Sequence, residues 1–379
     1  MLPAAKPAGL SLADVLQSSL HALASRENRL SLPPVDRAIV VLVDGLGADA
    51  LKACAGHART MAGALNSRSV IEAGFPTTTA SALGSLTTGT LPGQHGLVGY
   101  SVLDSANDRV VNQLTGWDSA LDPLTWQLER TVFERAREDG FGAVAVGPER
   151  YRDSGFSAAV LRGAWYVEGV SIGDRMSRAL EVISEPDGAA LVYVYIPELD
   201  MAAHAHGWQS REWTDALETA DAALRGLVAS LGPRQGLLVT ADHGIIDVPG
   251  RAHVLFDTDQ SLVDGVRFVA GEPRCLQLHL EPDLSAAGTA ALIDRWRASE
   301  ADRAWVVTRD ELIESGWLGE VRPEVRSRIG DVIVAARKAI AYYDTRVASS
   351  HARAMIGQHG SVTQPELRVP LLRYGAFAT

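Results

Sequence analysis

Three apolar runs in this chain each close on an aspartate: AIVVLVD ends at Asp44, LVYVYIPELD at Asp200 and GLLVTAD at Asp242. Runs of this length without polar alternation are buried on both faces, as strands of a parallel sheet are. FGAVAVGP (141–148) has the same grammar without the acid. Between these runs, helical spacing covers residues 122–139, 173–185 and 210–231, and residues 11–25 place Leu12, Val15, Leu16, Leu20 and Leu23 on one face. Strands alternating with helices imply βαβ units. The expected fold class is therefore α/β, a mostly parallel central sheet with helices on both faces. In such a sheet ligands bind beyond the carboxyl ends of the strands, where the three aspartates fall.

The pattern changes after about residue 256. RCLQLHL (274–280) partly alternates like a half-buried strand, a helix is expected over 285–299, and AWVVT (304–308) follows. These segments read as a small α+β cap subdomain over 261–344, inserted into a core built from 1–260 and 345–379. A cap in that position suits a lid.

Partners are narrowed by charge. The 379 residues carry 35 basic and 46 acidic side chains, a formal charge of −11, which argues against a surface for nucleic-acid polymers. No apolar stretch approaches the ~20 residues of a membrane helix, and the first thirty residues hold no continuous apolar segment of a signal peptide. Two cysteines, Cys54 and Cys275, are too few for a disulfide framework. The expected location is cytoplasmic and the expected partner is a small molecule.

A strand-end aspartate commonly caps the next helix, so each acid alone has a bland explanation. The histidines add a second. His204 follows Asp200 by four residues, one helical turn on the same face; His243 adjoins Asp242; His359 lies in the glycine-flanked GQHG. His206 falls on the other face of its turn, and His57, His253, His279 and His351 read as structural or solvated. Asp44, Asp200, His204, Asp242, His243 and His359 form a mixed nitrogen and oxygen donor set that suits zinc, with manganese as the alternative. Six ligands are enough for two ions, an arrangement used in phosphoryl chemistry.

One further stretch carries chemistry. FPTTTASALGSLTTG (75–89) sets three threonines before a short helical pattern. A hydroxyl there is either a nucleophile or part of a turn and cap, and the stretch by itself leaves both open.

Taken in order, VDGLG, FPTTTASALGSLTTGTLPGQHG, DMAAHAHG, TADHG and GQHG, spanning 44–360, resemble the alkaline phosphatase superfamily, in particular its type I phosphodiesterase/nucleotide pyrophosphatase family. The resemblance implies an alkaline phosphatase-like fold with two divalent ions, usually zinc. One ion would take Asp44, Asp242 and His243 and touch the nucleophile; the other would take Asp200, His204 and His359. The nucleophile would be Thr79, forming a covalent phosphothreonine, with Thr77 and Thr78 left as turn and cap. At the first turn of a helix, Thr79 would meet free N–H groups that favour a phosphoryl anion, the backbone N–H of Ala80 among them. Tyr100, Trp117 and Trp208 are candidates to stack on substrate and Asn112 to make a polar contact. Arg150 and Arg162 are either anion contacts or surface charge.

Two dications against three aspartates and a Thr79 alkoxide leave the site near neutral, which suits a diester or anhydride better than a dianionic monoester. The expected activity is a metal-dependent phosphodiesterase or nucleotide pyrophosphatase acting on a small anionic phosphate ester. A phosphomonoesterase or phosphonate hydrolase on the same scaffold is the alternative enzyme. A structural metalloprotein is the alternative without catalysis, though closed structural zinc sites favour four protein ligands.

Overall fold

The computed structural model describes residues 2–6, 9–185 and 188–378. Its central seven-stranded sheet runs in the order Val70–Glu72, Arg368–Gly375, Gln235–Thr240, Arg37–Val43, Leu191–Ile196, Ala143–Gly147, Trp165–Glu168. The five strands from Gln235–Thr240 to Trp165–Glu168 pair in parallel. Arg368–Gly375 enters antiparallel between its two neighbours, so the end of the chain returns to the core. The apolar runs account for this layout. Arg37–Val43 lies mid-sheet and is buried at every position after Arg37, which only an unbroken β-branched and leucine run tolerates. The fold is mixed α/β, as the alternation of elements requires.

Helices Ala13–Leu23, Ile172–Ser184 and Arg211–Ala229 coincide with three of the periodic stretches. The stretch 122–139 does not form one helix. It divides into Pro123–Trp126 and Val132–Glu138. Thr131 starts the second: its hydroxyl accepts from the Glu134 N–H and the Glu134 carboxylate accepts from the Thr131 N–H. That reciprocal cap satisfies two otherwise unpaired amides and outcompetes continuation of the helix.

A second, antiparallel sheet has the order Val266–Glu272, Cys275–Leu280, Val332–Ala336, Ala304–Thr308. Cys275–Leu280 is buried along nearly its whole length, not half-buried as its sequence suggests. Leu276 and Leu278 pack with Trp296 of helix Ala286–Glu300, while Cys275 packs with Phe75 and Val98. The second sheet thus backs directly onto the segment that leads into the threonines.

Candidate active site

Register brings the three aspartates to one edge. Val43 pairs with Ile196 and Leu42 with Thr240, so the chains leave the sheet together and Asp44, Asp200 and Asp242 converge beyond it. Gly45 has φ +73, and a Cβ there would stand 3.1 Å from the Asp200 Cα. Only glycine lets the Asp44 loop approach that closely. The Asp242 Oδ1 is fixed by the N–H groups of Gly45 and His243, at 3.2 and 3.1 Å.

The ligand atoms of Asp44, Asp242 and His243 lie within 4.8 Å of one another, as do those of Asp200, His243 and His359. His204 joins through Asp200, its Nε2 3.2 Å from the Asp200 Oδ2, on helix Glu198–His206. The His204 and His359 rings are 5.2 Å apart, and His243 and His359 stack at 3.6 Å. His243 therefore stands between the two sets.

The donor set fits a cation on two counts. Asp44 Oδ1, Asp200 Oδ1 and Asp242 Oδ2 are buried with no hydrogen-bond partner, which a protein rarely tolerates without an ion or water. All three histidines also turn Nδ1 to a backbone carbonyl: His204 to Gly357 at 2.7 Å, His359 to Thr77 at 2.8 Å, His243 to Gly244 at 3.2 Å. Such bonds fix the tautomer and leave Nε2 as the free donor.

The electrostatics show the same pressure for positive charge. Burial, then the charges of Asp242 and Asp200, hold the Asp44 carboxyl well above the usual carboxylate range. Burial acts the same way on Asp200, but His204, with His359 and His243 beyond it, pulls it below that range. His204 rises to about 9: burial opposes its charge and Asp200 overcomes that. His359 falls well below the usual histidine value through burial and then repulsion from His243.

Thr79 is the first residue of helix Thr79–Thr88, and its Oγ1 lies 3.2 Å from His243 Nε2. Ala80, next in that helix, has its amide among the first-turn N–H groups that no helical carbonyl accepts. Thr77 acts as a turn residue. Its hydroxyl donates to the Ser361 carbonyl at 2.7 Å and accepts from the Gly360 N–H at 3.0 Å, lacing this loop to the one that carries His359. Thr78 occupies the position before the helix, but its side chain makes no capping bond, contrary to the role expected of it.

A cavity of about 550 Å³ opens from Asp44, Thr79 and Asp200 and runs between sheet and helices, walled mainly by apolar side chains, among them Trp117, Tyr151, Phe156 and Met201. Trp117 thus lies where a substrate contact requires. Arg150 lies on the wall too, its Nη2 3.0 Å from the Tyr151 hydroxyl. Arg162 instead ties down a loop, donating to the carbonyls of Leu124 and Glu129. Tyr100, Asn112 and Trp208 do not line the cavity. Tyr100 points to solvent at 39% exposure, and the Asn112 Oδ1 accepts from the N–H groups of Leu114 and Thr115. Trp208 packs edge-on against Trp213.

One contact had no signal in the sequence. Tyr195 donates its hydroxyl to the Asp44 Oδ2, across 151 positions of chain. It resembles any aromatic residue of a buried strand until the sheet is assembled.

Comparison with known proteins follows this geometry. The type I phosphodiesterase / nucleotide pyrophosphatase family matches residues 38–362. Comparison with curated protein sequences yields no match. Among solved structures, murine ectonucleotide pyrophosphatase / phosphodiesterase 5 aligns with a TM-score of 0.68 at 16% identity, covering 90% of this chain and 88% of that one, in an inactive threonine-to-alanine variant in complex with AMP. The human protein of the same name aligns with a TM-score of 0.67 at 15% identity, covering 89% and 88%. At those identities the neighbours establish the fold, which is alkaline phosphatase-like. The family match extends over most of the chain and takes in the aspartates, the threonines and the histidines alike: this protein belongs to the type I phosphodiesterase / nucleotide pyrophosphatase family and is a phosphoric ester hydrolase.

Proposed function

We propose that this chain hydrolyses small anionic phosphodiesters or phosphoanhydrides through a phosphothreonine on Thr79. Asp44, Asp242 and His243 would hold one divalent ion, and Asp200, His204 and His359 a second, zinc or manganese. The observation that carries the reading is the Thr79 hydroxyl, set 3.2 Å from His243 on the wall of the cavity, beside the buried Asp44 and Asp242 and the half-buried Asp200. Murine ectonucleotide pyrophosphatase / phosphodiesterase 5, inactive when a threonine is replaced by alanine and solved with AMP, supports both the residue type and a phosphate-ester substrate.

Bound ions would supply positive charge to the phosphoryl oxygens and make the attacking hydroxyl and water more acidic. Thr79 Oγ1 attacks phosphorus, the bond to the departing oxygen breaks, and the hydroxyl proton passes to that oxygen. Water then cleaves the phosphothreonine and returns a proton to the Thr79 hydroxyl. The Ala80 N–H and the start of its helix face the developing anion. Thr77 keeps the threonine loop and the His359 loop in register. The aromatic and aliphatic walls receive an organic substituent of the ester and keep water from it. The unpaired thiols of Cys54 and Cys275 support a cytoplasmic setting.

Rates on bis-p-nitrophenyl phosphate and p-nitrophenyl phosphate, with zinc and with chelator, test this reading. The diester should react faster and chelation should stop both reactions. A faster monoester would favour the phosphomonoesterase alternative, and inertness toward both substrates would remove the proposal.

A further inference from the structure

Behind the threonines lies a buried acid that the mechanism above does not use. Glu272 ends the strand Val266–Glu272 of the second sheet. It is 7% exposed, and neither carboxyl oxygen has a hydrogen-bond partner. The Thr78 Oγ1 is also buried and without one. Orphaned polar groups of this kind are costly in a fold that leaves them idle.

The surroundings of Glu272 show what it touches. Gly360 has φ +131, and a Cβ there would come within 2.5 Å of the Glu272 Cγ. The Glu272 side chain therefore lies across the peptide that follows His359, and only glycine leaves room for it. Thr78, whose hydroxyl is likewise buried and unpartnered, lies near enough to lower the carboxyl's pKa, though the two make no regular hydrogen bond. Glu272 is thus wedged between the loop that delivers Thr79 and the loop that delivers His359.

We propose that Glu272 is a positioning residue whose carboxyl meets the Thr78 hydroxyl and sets the first turn of helix Thr79–Thr88 against the His359 loop. This rests on the reading of Thr79 as nucleophile. Burial pushes the Glu272 carboxyl up to about 8, Glu366 adds to the rise, and Thr78 opposes it, so at neutral pH the group retains a proton to donate. A protonated carboxyl and a hydroxyl are each donor and acceptor, so a small closing movement would let the two satisfy one another. Pairing with Glu272 would account for Thr78 making no cap of its own. Losing it frees the Thr78 peptide to rotate, and a misplacement of about 1 Å at a nucleophile costs on the order of 100-fold in rate.

The test compares Glu272→Gln and Glu272→Leu with the parent chain, both metal-loaded, on bis-p-nitrophenyl phosphate, with kcat and KM measured separately and melting temperature as a control. Glutamine keeps a neutral hydrogen-bonding group of the same shape, and leucine keeps only the volume. The expected result is a kcat within about 3-fold for Gln and about 10- to 100-fold lower for Leu, KM being unchanged in both. A Leu variant with the parent kcat, or a Gln variant as impaired as Leu, overturns the proposal. Thr79→Ala run in parallel separates the two claims. Activity surviving in that variant sinks the nucleophile, whereas its loss together with a fully active Leu variant sinks only the positioning role.

Discussion

The Thr79 Oγ1 and the His243 Nε2 face each other at 3.2 Å, although 164 positions of chain separate them. Of the three adjacent threonine hydroxyls, this one alone meets a residue of the ligand cluster. Thr77 is bonded to the Ser361 carbonyl and the Thr78 hydroxyl is buried with no hydrogen-bond partner. Thr79→Ala should therefore lower the rate of diester hydrolysis at least about 10³-fold without moving the melting temperature by more than a few degrees. Thr79→Ser should retain part of the activity. Steady-state rates with a thermal melt of each variant check this.

Burial, and then the repulsion among three carboxylates gathered at one sheet edge with no cation between them, hold Asp44 far above its usual range. Chelation should destabilise the protein, and zinc at about 100 times its Kd should restore about 2.7 kcal/mol. Asp242→Asn should reverse the order, melting higher than the parent chain in chelator and gaining little from zinc. Differential scanning fluorimetry with and without zinc reads both effects.

Trp117 lines the cavity and Trp208 does not. Trp117→Ala should weaken kcat/KM for an aryl diester by about 10- to 100-fold, mainly through KM, since an apolar contact of that size is worth about 1–3 kcal/mol. Trp208→Ala should leave KM where it was. Kinetics on diesters with aryl and methyl substituents would show whether the loss follows the size of the substituent.

His95 lies fully buried, its Nδ1 accepting from the Leu97 N–H at 3.1 Å and its Nε2 3.0 Å from the Ser85 hydroxyl. Both contacts suit the neutral ring. Burial, with help from Arg328, lowers its pKa from 6.5 to about 3. The unfolded chain thus takes up a proton that the folded chain refuses. Stability from this group is complete above pH 6.5 and is lost as pH falls toward 3, by on the order of 3–5 kcal/mol. Urea midpoints between pH 7 and pH 4 should fall more steeply for the parent chain than for His95→Gln.

Arg274 and Glu366 form a fully buried bidentate pair, with both nitrogen–oxygen distances 2.7 Å. Glu366 also accepts from the Ser361 N–H at 3.0 Å, so the pair anchors the loop of His359 to the second sheet. Removing either partner strands a buried charge, and Arg274→Met or Glu366→Leu should each cost about 3–5 kcal/mol. The double variant should cost less than the sum. Chemical denaturation of the three variants measures the coupling.

The parallel sheet was legible because an unbroken apolar run has only one economical place, the middle of a sheet covered on both faces. The aspartates at the run ends were legible for the same reason, since strand direction alone puts them at one edge. The split of 122–139 into two helices was harder to see, because the apolar period continues across a break made by the local cap at Thr131. Tyr195, Glu272 and the Arg274–Glu366 pair were invisible for another reason. Their partners lie 151, 194 and 92 positions away, and nothing in the local sequence distinguishes them from ordinary buried residues.

The linear order of residues determined the sheet, the edge on which chemistry gathers and the donor types gathered there, because periodicity and strand polarity are local properties of a chain. Tertiary structure alone decided which aromatic rings wall the cavity and which buried acid stands behind the nucleophile. Those outcomes depend on distances between segments far apart in sequence, and only packing sets such distances.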